Sequence, residues 1–357
     1  MANCSSIFRS YNTKIRLSDN DREVLKKARN SLRDRMQKAY EKFSKEEKKT
    51  HSIEFQSQGS FVMDTIIKPI EDDFDLDDGV YFIGDLTEEQ RAETQTFHDV
   101  IIKAIDRNNE IEDVIDKPTC VRVKYYSKYD GRELGFHVDL PIYYAETHEQ
   151  PELAHTKDGW VESNPVEFIA WFEEKAKSNF NKAFLYESTK YFNDYEKWLS
   201  DIRKKDTQLR RIVRYLKAWA DLKRKEMPPG IVMSILAANN FVENERDDIA
   251  LRDTLVSIKN DLDENDFTCI RPTPKVGEDL FANTSKEEKG YFYNALNSFI
   301  ESANFAINNP NQKDACLKWK KHLGERFPCH LSKDEIEDSK IYAAPPIKND
   351  NSKSANK

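Results

Sequence analysis

Asp75 and Asp77 stand two residues apart in Phe74-Asp75-Leu76-Asp77, and a strand carries residues at that spacing on one face. Carboxylates held so close repel, and each raises the pKa of the other unless a cation lies between them. A hard dication such as Mg²⁺ meets that need, because it takes carboxylate and phosphate oxygens while keeping some of its waters. The neighbouring Glu71, Asp72 and Asp73 keep a second reading open, a solvated acidic edge. Gly59-Ser60 closes an earlier strand-like stretch. A glycine there lets the backbone approach a phosphate, and a serine hydroxyl with backbone amides can hold phosphate oxygens, although an ordinary turn reads the same way. Asp139 sits within the apolar run His137-Val138-Asp139-Leu140-Pro141. A buried acid on a central strand is costly unless it is paired or ligates a cation. His137 shares its face and reads as a core hydrogen bonder or supporting group, with a catalytic role as the alternative. Taken together, these residues have what two-metal phosphoryl transfer requires. Asp75, Asp77 and Asp139 would share two divalent ions, and Gly59-Ser60 would hold a donor triphosphate. Asp139, touching one ion, would help activate a ribose hydroxyl for in-line attack on the α-phosphorus, with pyrophosphate leaving.

The elements that must position these residues follow from periodicity. Residues 1–17 read as an irregular lead-in. Ser18 and Asp21 then form a capping-box-like start for a long amphipathic helix, with Leu25, Ala28, Leu32, Met36, Ala39 and Phe43 at helical spacing to about residue 48. Period-two patterning predicts strands over 52–57, 74–83, 119–126 and 134–143, the last two joined by a hairpin turn at Asp130-Gly131. A helix is predicted between them over 87–107. From about residue 160 the pattern is helical, with Asn164-Pro165 opening one helix and others over 206–225, 231–242, 245–260 and 286–308. The expectation is an α+β chain: a long N-terminal helix plus an α/β lobe over 1–160, a helical lobe over 161–332, and a polar, disordered tail over 333–357. The tail is long enough to serve as a handle for a regulatory protein partner.

Bulk properties narrow the function classes. The net charge of −8 gives duplex DNA no global attraction, so obligate double-stranded DNA binding is not expected, although 56 Lys and Arg residues leave room for a local basic cleft. No apolar run is long enough to span a bilayer and the N-terminus lacks an apolar signal core, so no membrane partner is expected. The five cysteines are scattered singly with no CxxC pair. They read as reduced thiols of a cytoplasmic protein, with a metal site at Cys316, Cys329 and His330 as the alternative.

The stretches Gln58-Gly59-Ser60-Phe61, Phe74-Asp75-Leu76-Asp77-Asp78-Gly79-Val80-Tyr81 and His137-Val138-Asp139-Leu140-Pro141-Ile142-Tyr143 resemble the signature of polymerase-β-type nucleotidyltransferases. Their wording is most similar to the CD-NTases, the cGAS/DncV-like nucleotidyltransferases. Arg214-Tyr215-Leu216-Lys217-Ala218-Trp219, Pro229-Gly230-Ile231 and Ser234-Ile235-Leu236-Ala237-Ala238 resemble the second lobe of that family. The resemblance implies a bilobed fold with the active-site cleft between an α/β lobe and a helical lobe. It implies Mg²⁺-dependent (or Mn²⁺-dependent) synthesis of a cyclic di- or oligonucleotide second messenger from NTPs, ATP and GTP foremost. It also implies a role in bacterial anti-phage signalling of the CBASS type, where the product alone reaches a downstream effector. By position, Asp75, Asp77 and Asp139 match the metal ligands, and Gln58, Gly59 and Ser60 match the donor-phosphate loop. Lys217 and Ser234 match triphosphate and nucleoside contacts, and Arg122 is a further phosphate candidate; for Lys217 and Arg122 a solvated surface position fits as well. Asp64 follows the loop, where an acid offers a phosphate nothing, and is left out of the site. The alternatives are a related enzyme acting on an RNA end, a protein or a small molecule, and a catalytically silent nucleotide-binding protein.

Overall fold

A computed structural model of the chain describes residues 1–47, 51–71, 74–105, 110–129, 132–147, 149–177, 192–224, 226–273 and 277–333. Eleven helices are present among them: α1 (Ser5–Ile15), α2 (Asp19–Glu47), α3 (Gly59–Val62), α4 (Thr94–Ala104), α5 (Pro165–Lys175), α6 (Phe192–Lys205), α7 (Gln208–Lys223), α8 (Gly230–Asn240), α9 (Asp247–Glu264), α10 (Lys286–Asn308) and α11 (Gln312–Leu323). The strands are β1 (Ser52–Gln58), β2 (Phe74–Ile83), β3 (Ile111–Lys117), β4 (Cys120–Tyr129), β5 (Arg132–Leu140), β6 (Ile142–Ala145), β7 (Glu152–His155) and β8 (Gly159–Glu162). All eight join one sheet in the order β3-β4-β5-β2-β6-β7-β8, with β1 added on β2. Among the described residues the named strands end at Glu162 and the named elements beyond are helices, so the fold is the expected α+β.

β2 is the hinge of the design. Its even-numbered residues Phe74, Leu76, Asp78, Val80 and Phe82 are all buried, and α2 and α4 pack on the sheet. Asp78 pairs there with Arg33 of α2 and accepts from the Ser57 hydroxyl at 3.2 Å. Period two therefore leaves Asp75 and Asp77 to the opposite face. Pro141 divides the predicted strand 134–143 into β5 and β6, because it brings no amide to the ladder. Its carbonyl still accepts from the Val80 amide at 2.9 Å, and both halves run parallel to β2.

Local signals explain several boundaries. Ser18 and Asp21 exchange backbone-to-side-chain hydrogen bonds of 3.1 and 3.2 Å at the start of α2. Asn164 caps α5 by accepting from the Glu167 amide at 3.1 Å, with Pro165 in the first turn. Three expectations are corrected. The lead-in is helical: Ile7, Phe8, Tyr11 and Ile15 form a buried stripe, and α1 packs on α7 and α9 instead of hanging free. The helix predicted over 87–107 is a short 3-10 turn at Glu88–Gln90 followed by α4, because Thr87 caps the turn alone. Cys316 and Cys329 form a disulfide instead of remaining thiols; Cys4, Cys120 and Cys269 are free and buried. Gly324, at φ +78°, reverses the chain after α11 and returns Cys329 to that helix. The Asp130-Gly131 turn and residues 334–357 lie outside the described residues, although β4 and β5 stay in register up to the pair Tyr129 and Arg132. Among the described residues, no helix is long and apolar enough to cross a membrane.

Candidate active site

Register assembles the site. Antiparallel pairing of β1 with β2 sets Gln58 opposite Asp77. Parallel pairing of β2 with β5 sets Asp77 opposite Asp139 and Asp75 opposite His137. Antiparallel pairing of β5 with β4 then sets Asp139 opposite Arg122. One row, Gln58–Asp77–Asp139–Arg122, crosses four strands. Neighbouring strands lie ~4.8 Å apart, so two acids distant in sequence become neighbours, with Asp75 one pleat further along β2. Asp75 is exposed, Asp77 and Asp139 are half-buried, and His137 is buried.

The acids strain one another electrostatically. Burial pushes the Asp77 carboxyl well above the usual carboxylate range, and the charges of Asp75 and Asp139 push it further; Lys217 and Arg122 oppose them. Arg122 answers part of this load. Its Nε and Nη2 donate to Asp139 Oδ1 and Oδ2, both at 2.6 Å, a bidentate fork. The fork draws the Asp139 carboxylate towards β4, the side away from Asp77. Among the described residues, no group of three or more His, Cys, Asp or Glu side chains is gathered as a metal cage.

Gly59 meets two demands. Its φ is +67°, a region costly for other residues, and a Cβ there would lie 2.2 Å from Asp77 Oδ2. The loop glycine thus lets the backbone close on an acid of the site. The next residues make the single turn α3. Gln58 Nε2 donates to the Tyr143 hydroxyl at 3.1 Å, and Tyr143 stacks on Tyr81 with ring centroids 4.6 Å apart. Burial pushes the Tyr143 hydroxyl up to about 12, so it stays protonated.

Across the sheet edge, α7 supplies Lys217. Burial lowers its amine to about 8, while Asp75 and Asp77 pull in the opposite direction. Its Nζ lies 3.4 Å from Thr65 Oγ1. On α8, the buried Ser234 hydroxyl donates to the Gly230 carbonyl at 2.8 Å. These residues border a cleft of about 700 Å³ lined by Gln58, Gly59, Ser60, Asp75, Asp77, Lys217 and Ser234. That size suits a nucleotide-scale ligand. Asp139 and Arg122 stand outside its lining, locked to each other. The cleft also takes in Tyr143, Asn164, Phe168, Asp221, Arg224 and Arg271, to which sequence reasoning gives no part in the site. Tyr143 closes the third quoted motif and Asn164 was read only as a cap. Asp221, Arg224 and Arg271 carry no local signal.

Comparison with known proteins fits this geometry. Residues 53–143 match the family model described as the nucleotidyltransferase domain of cyclic GMP-AMP synthase DncV-like proteins. The stretch holds Gly59, Ser60 and all three aspartates. A cyclic GMP-AMP synthase of Escherichia albertii is 26% identical over 220 residues, 59% of this chain and 42% of that protein. One of Escherichia coli is 25% identical over 216 residues, 54% of this chain and 48% of that protein. The matched stretch therefore spans less than half the length of these curated relatives. Among solved structures, Vibrio cholerae DncV in complex with the linear intermediate 5' pppA(3',5')pG superposes with a TM-score of 0.69 at 18% identity, covering 93% of this chain and 99% of that one. Escherichia coli DncV in its 3'-deoxy GTP bound form gives 0.66 at 18% identity, covering 88% and 93%. These superpositions extend the likeness in fold to the helical half, so the chain has the polymerase-β-like nucleotidyltransferase fold.

Proposed function

We propose that the chain is a Mg²⁺-dependent nucleotidyltransferase that joins NTPs into a cyclic di- or oligonucleotide second messenger, serving bacterial anti-phage signalling. The observation that carries the reading is the row placing Asp77 beside Asp139, with Asp75 on the same strand face and Lys217 opposite. The names of the relatives support the product class. The donor set fits a hard dication: three carboxylates, one of them held above its normal range by burial and then by its like-charged neighbours. Asp75, Asp77 and Asp139 would hold Mg²⁺, which when bound supplies charge neutralisation and lowers the pKa of an attacking hydroxyl.

The remaining work falls to the chain. Gly59 and Ser60 present backbone amides and a hydroxyl to the donor triphosphate. Lys217 balances its charge from the other wall of the cleft. Arg122 holds the Asp139 carboxylate in a bidentate fork, and Asp139 would take the proton of the attacking ribose hydroxyl. The hydroxyl oxygen bonds to the α-phosphorus as the bond to the pyrophosphate oxygen breaks. Cyclisation needs a second such attack in the same cleft, with the linear intermediate turned so that its 5' triphosphate becomes the donor.

Incubation with four NTPs and Mg²⁺, read by mass spectrometry and phosphatase treatment, tests this. The expected result is a small phosphatase-resistant product formed without an added acceptor, and its loss in Asp75→Ala/Asp77→Ala with the fold retained. Turnover that requires added RNA, protein or a small-molecule acceptor would reassign the enzyme to another acceptor class. Unchanged product from the double variant would remove the mechanism.

A further inference from the structure

Asp64 belongs to no part of the reaction described so far, yet it is completely buried and held at φ +54°, a backbone region that non-glycine residues rarely occupy. Three elements converge on it. Arg16, just beyond α1, donates from Nη2 to Asp64 Oδ2 at 2.6 Å; Arg22 of α2 pairs with Oδ1. Arg214 of α7 donates to the Asp64 backbone carbonyl and lies 3.5 Å from Oδ2. Burial works against the charge of Asp64, but these guanidiniums outweigh it and hold the carboxyl below its usual range.

The contacts continue in both directions along α7. Arg210 Nε donates to the Met63 carbonyl at 3.1 Å, Arg214 reaches Asp64, and Lys217 Nζ lies 3.4 Å from Thr65 Oγ1. Residues 210, 214 and 217 share one helical face, so three consecutive residues of the segment after Ser60 are stitched to one stripe of the helix. That segment in turn holds the loop: the Thr65 and Ile66 amides both donate to the Ser60 carbonyl, at 2.9 and 3.2 Å. Removing one charge from such a cage is costly, whereas well-packed apolar replacement of a whole buried ion cluster is often neutral or stabilising in proteins. Stability alone therefore gives no reason for it.

We infer that Asp64 is a positioning residue that locks the Gly59-Ser60 loop to α7, fixing the spacing between the loop and Lys217 across which the donor triphosphate is gripped. The inference rests on the proposed nucleotidyltransferase reading. It gives Asp64 a role that its exclusion as a phosphate contact hid, because the carboxylate is spent on arginines and never meets the phosphate.

The test compares wild type, Asp64→Asn and Arg16→Gln by initial rates against NTP concentration, and by the thermal shift each gains from a non-hydrolysable ATP or GTP analogue with Mg²⁺. Arg16 stands at the partly exposed edge of the cage, so Arg16→Gln keeps the question answerable should Asp64→Asn fail to fold. The expected result for Asp64→Asn is a KM about tenfold or more higher, the scale of one misplaced charge-assisted contact, with kcat little changed and the analogue-induced shift reduced. Arg16→Gln should show the same pattern more weakly, and Asp64→Glu, which keeps the charge, should recover part of the loss. A folded variant with wild-type KM and wild-type analogue shift overturns the inference while the proposed reaction stands. Wild type that makes no product, but binds the analogue more tightly than the variants do, overturns the reaction and leaves the positioning role supported. Wild type that neither reacts nor binds overturns both.

Discussion

Gly59 leaves no space for a side chain: a methyl group would both force a left-handed residue and press on Asp77 Oδ2. Gly59→Ala should therefore lose turnover by about 100-fold, the cost of displacing a reacting group by roughly 1 Å, while circular dichroism stays near wild type. Asp77 makes a contrasting prediction. Its folded carboxyl titrates above the unfolded one, so the folded state binds more protons, and stability falls as pH rises from the ordinary carboxylate pKa through the raised value. Above that window the ionised group destabilises the protein without metal. Asp77→Asn should then melt higher than wild type in EDTA while making no product; a lower melting temperature would show that Asp77 serves the fold. Lys217 adds a pH signature. With its amine lowered to about 8, its charge is present below that pH and fades above it. The KM for NTP should rise through about pH 8, and Lys217→Arg should flatten that rise, as measured by initial rates from pH 7 to 9.5.

At the scale of elements, β2 could be read from sequence because its two faces differ in kind: Phe74, Leu76, Val80 and Phe82 sort to one side and Asp75 and Asp77 to the other. α1 was missed although its stripe of Ile7, Phe8, Tyr11 and Ile15 is helical, because the stretch is short and its N-cap, Cys4, makes no side-chain capping bond. β7 and β8 hold four residues each, too few for periodicity to register. The Cys316–Cys329 disulfide escapes sequence reading for another reason. Two cysteines 13 positions apart carry no local sign of a bond to each other; Gly324 folds the chain back and brings them together. Cys316→Ser, or reductant, should cost roughly 3 kcal/mol for a loop of that size. Differential scanning fluorimetry would detect this, with product formation retained below the new melting temperature.

For the whole molecule, the proposed metal site links charge to stability. A ligand bound only by the folded state stabilises it in proportion to the logarithm of its excess over Kd, about 2.7 kcal/mol at 100-fold excess. Mg²⁺ together with an NTP should accordingly raise the melting temperature of wild type and leave Asp75→Ala/Asp77→Ala unmoved. A response retained in the double variant would place the cation elsewhere. The helical half contributes more than a wall to this arrangement. Through Arg210, Arg214 and Lys217, α7 reaches the segment that follows the Gly59-Ser60 loop, so the two halves meet at the place where the substrate is proposed to sit.

By itself the sequence determined which acids share a strand face, where the long helix begins and that helices follow strands, because these depend on residue spacing and on caps only a few positions apart. The tertiary structure alone decided that Asp139 is drawn to Arg122, that Gly59 closes on Asp77, that Cys316 meets Cys329, and that Arg16, Arg22 and Arg214 enclose Asp64. Each of those pairings joins residues from separate elements, so it depends on register, chain reversal and helix packing, which no local pattern encodes.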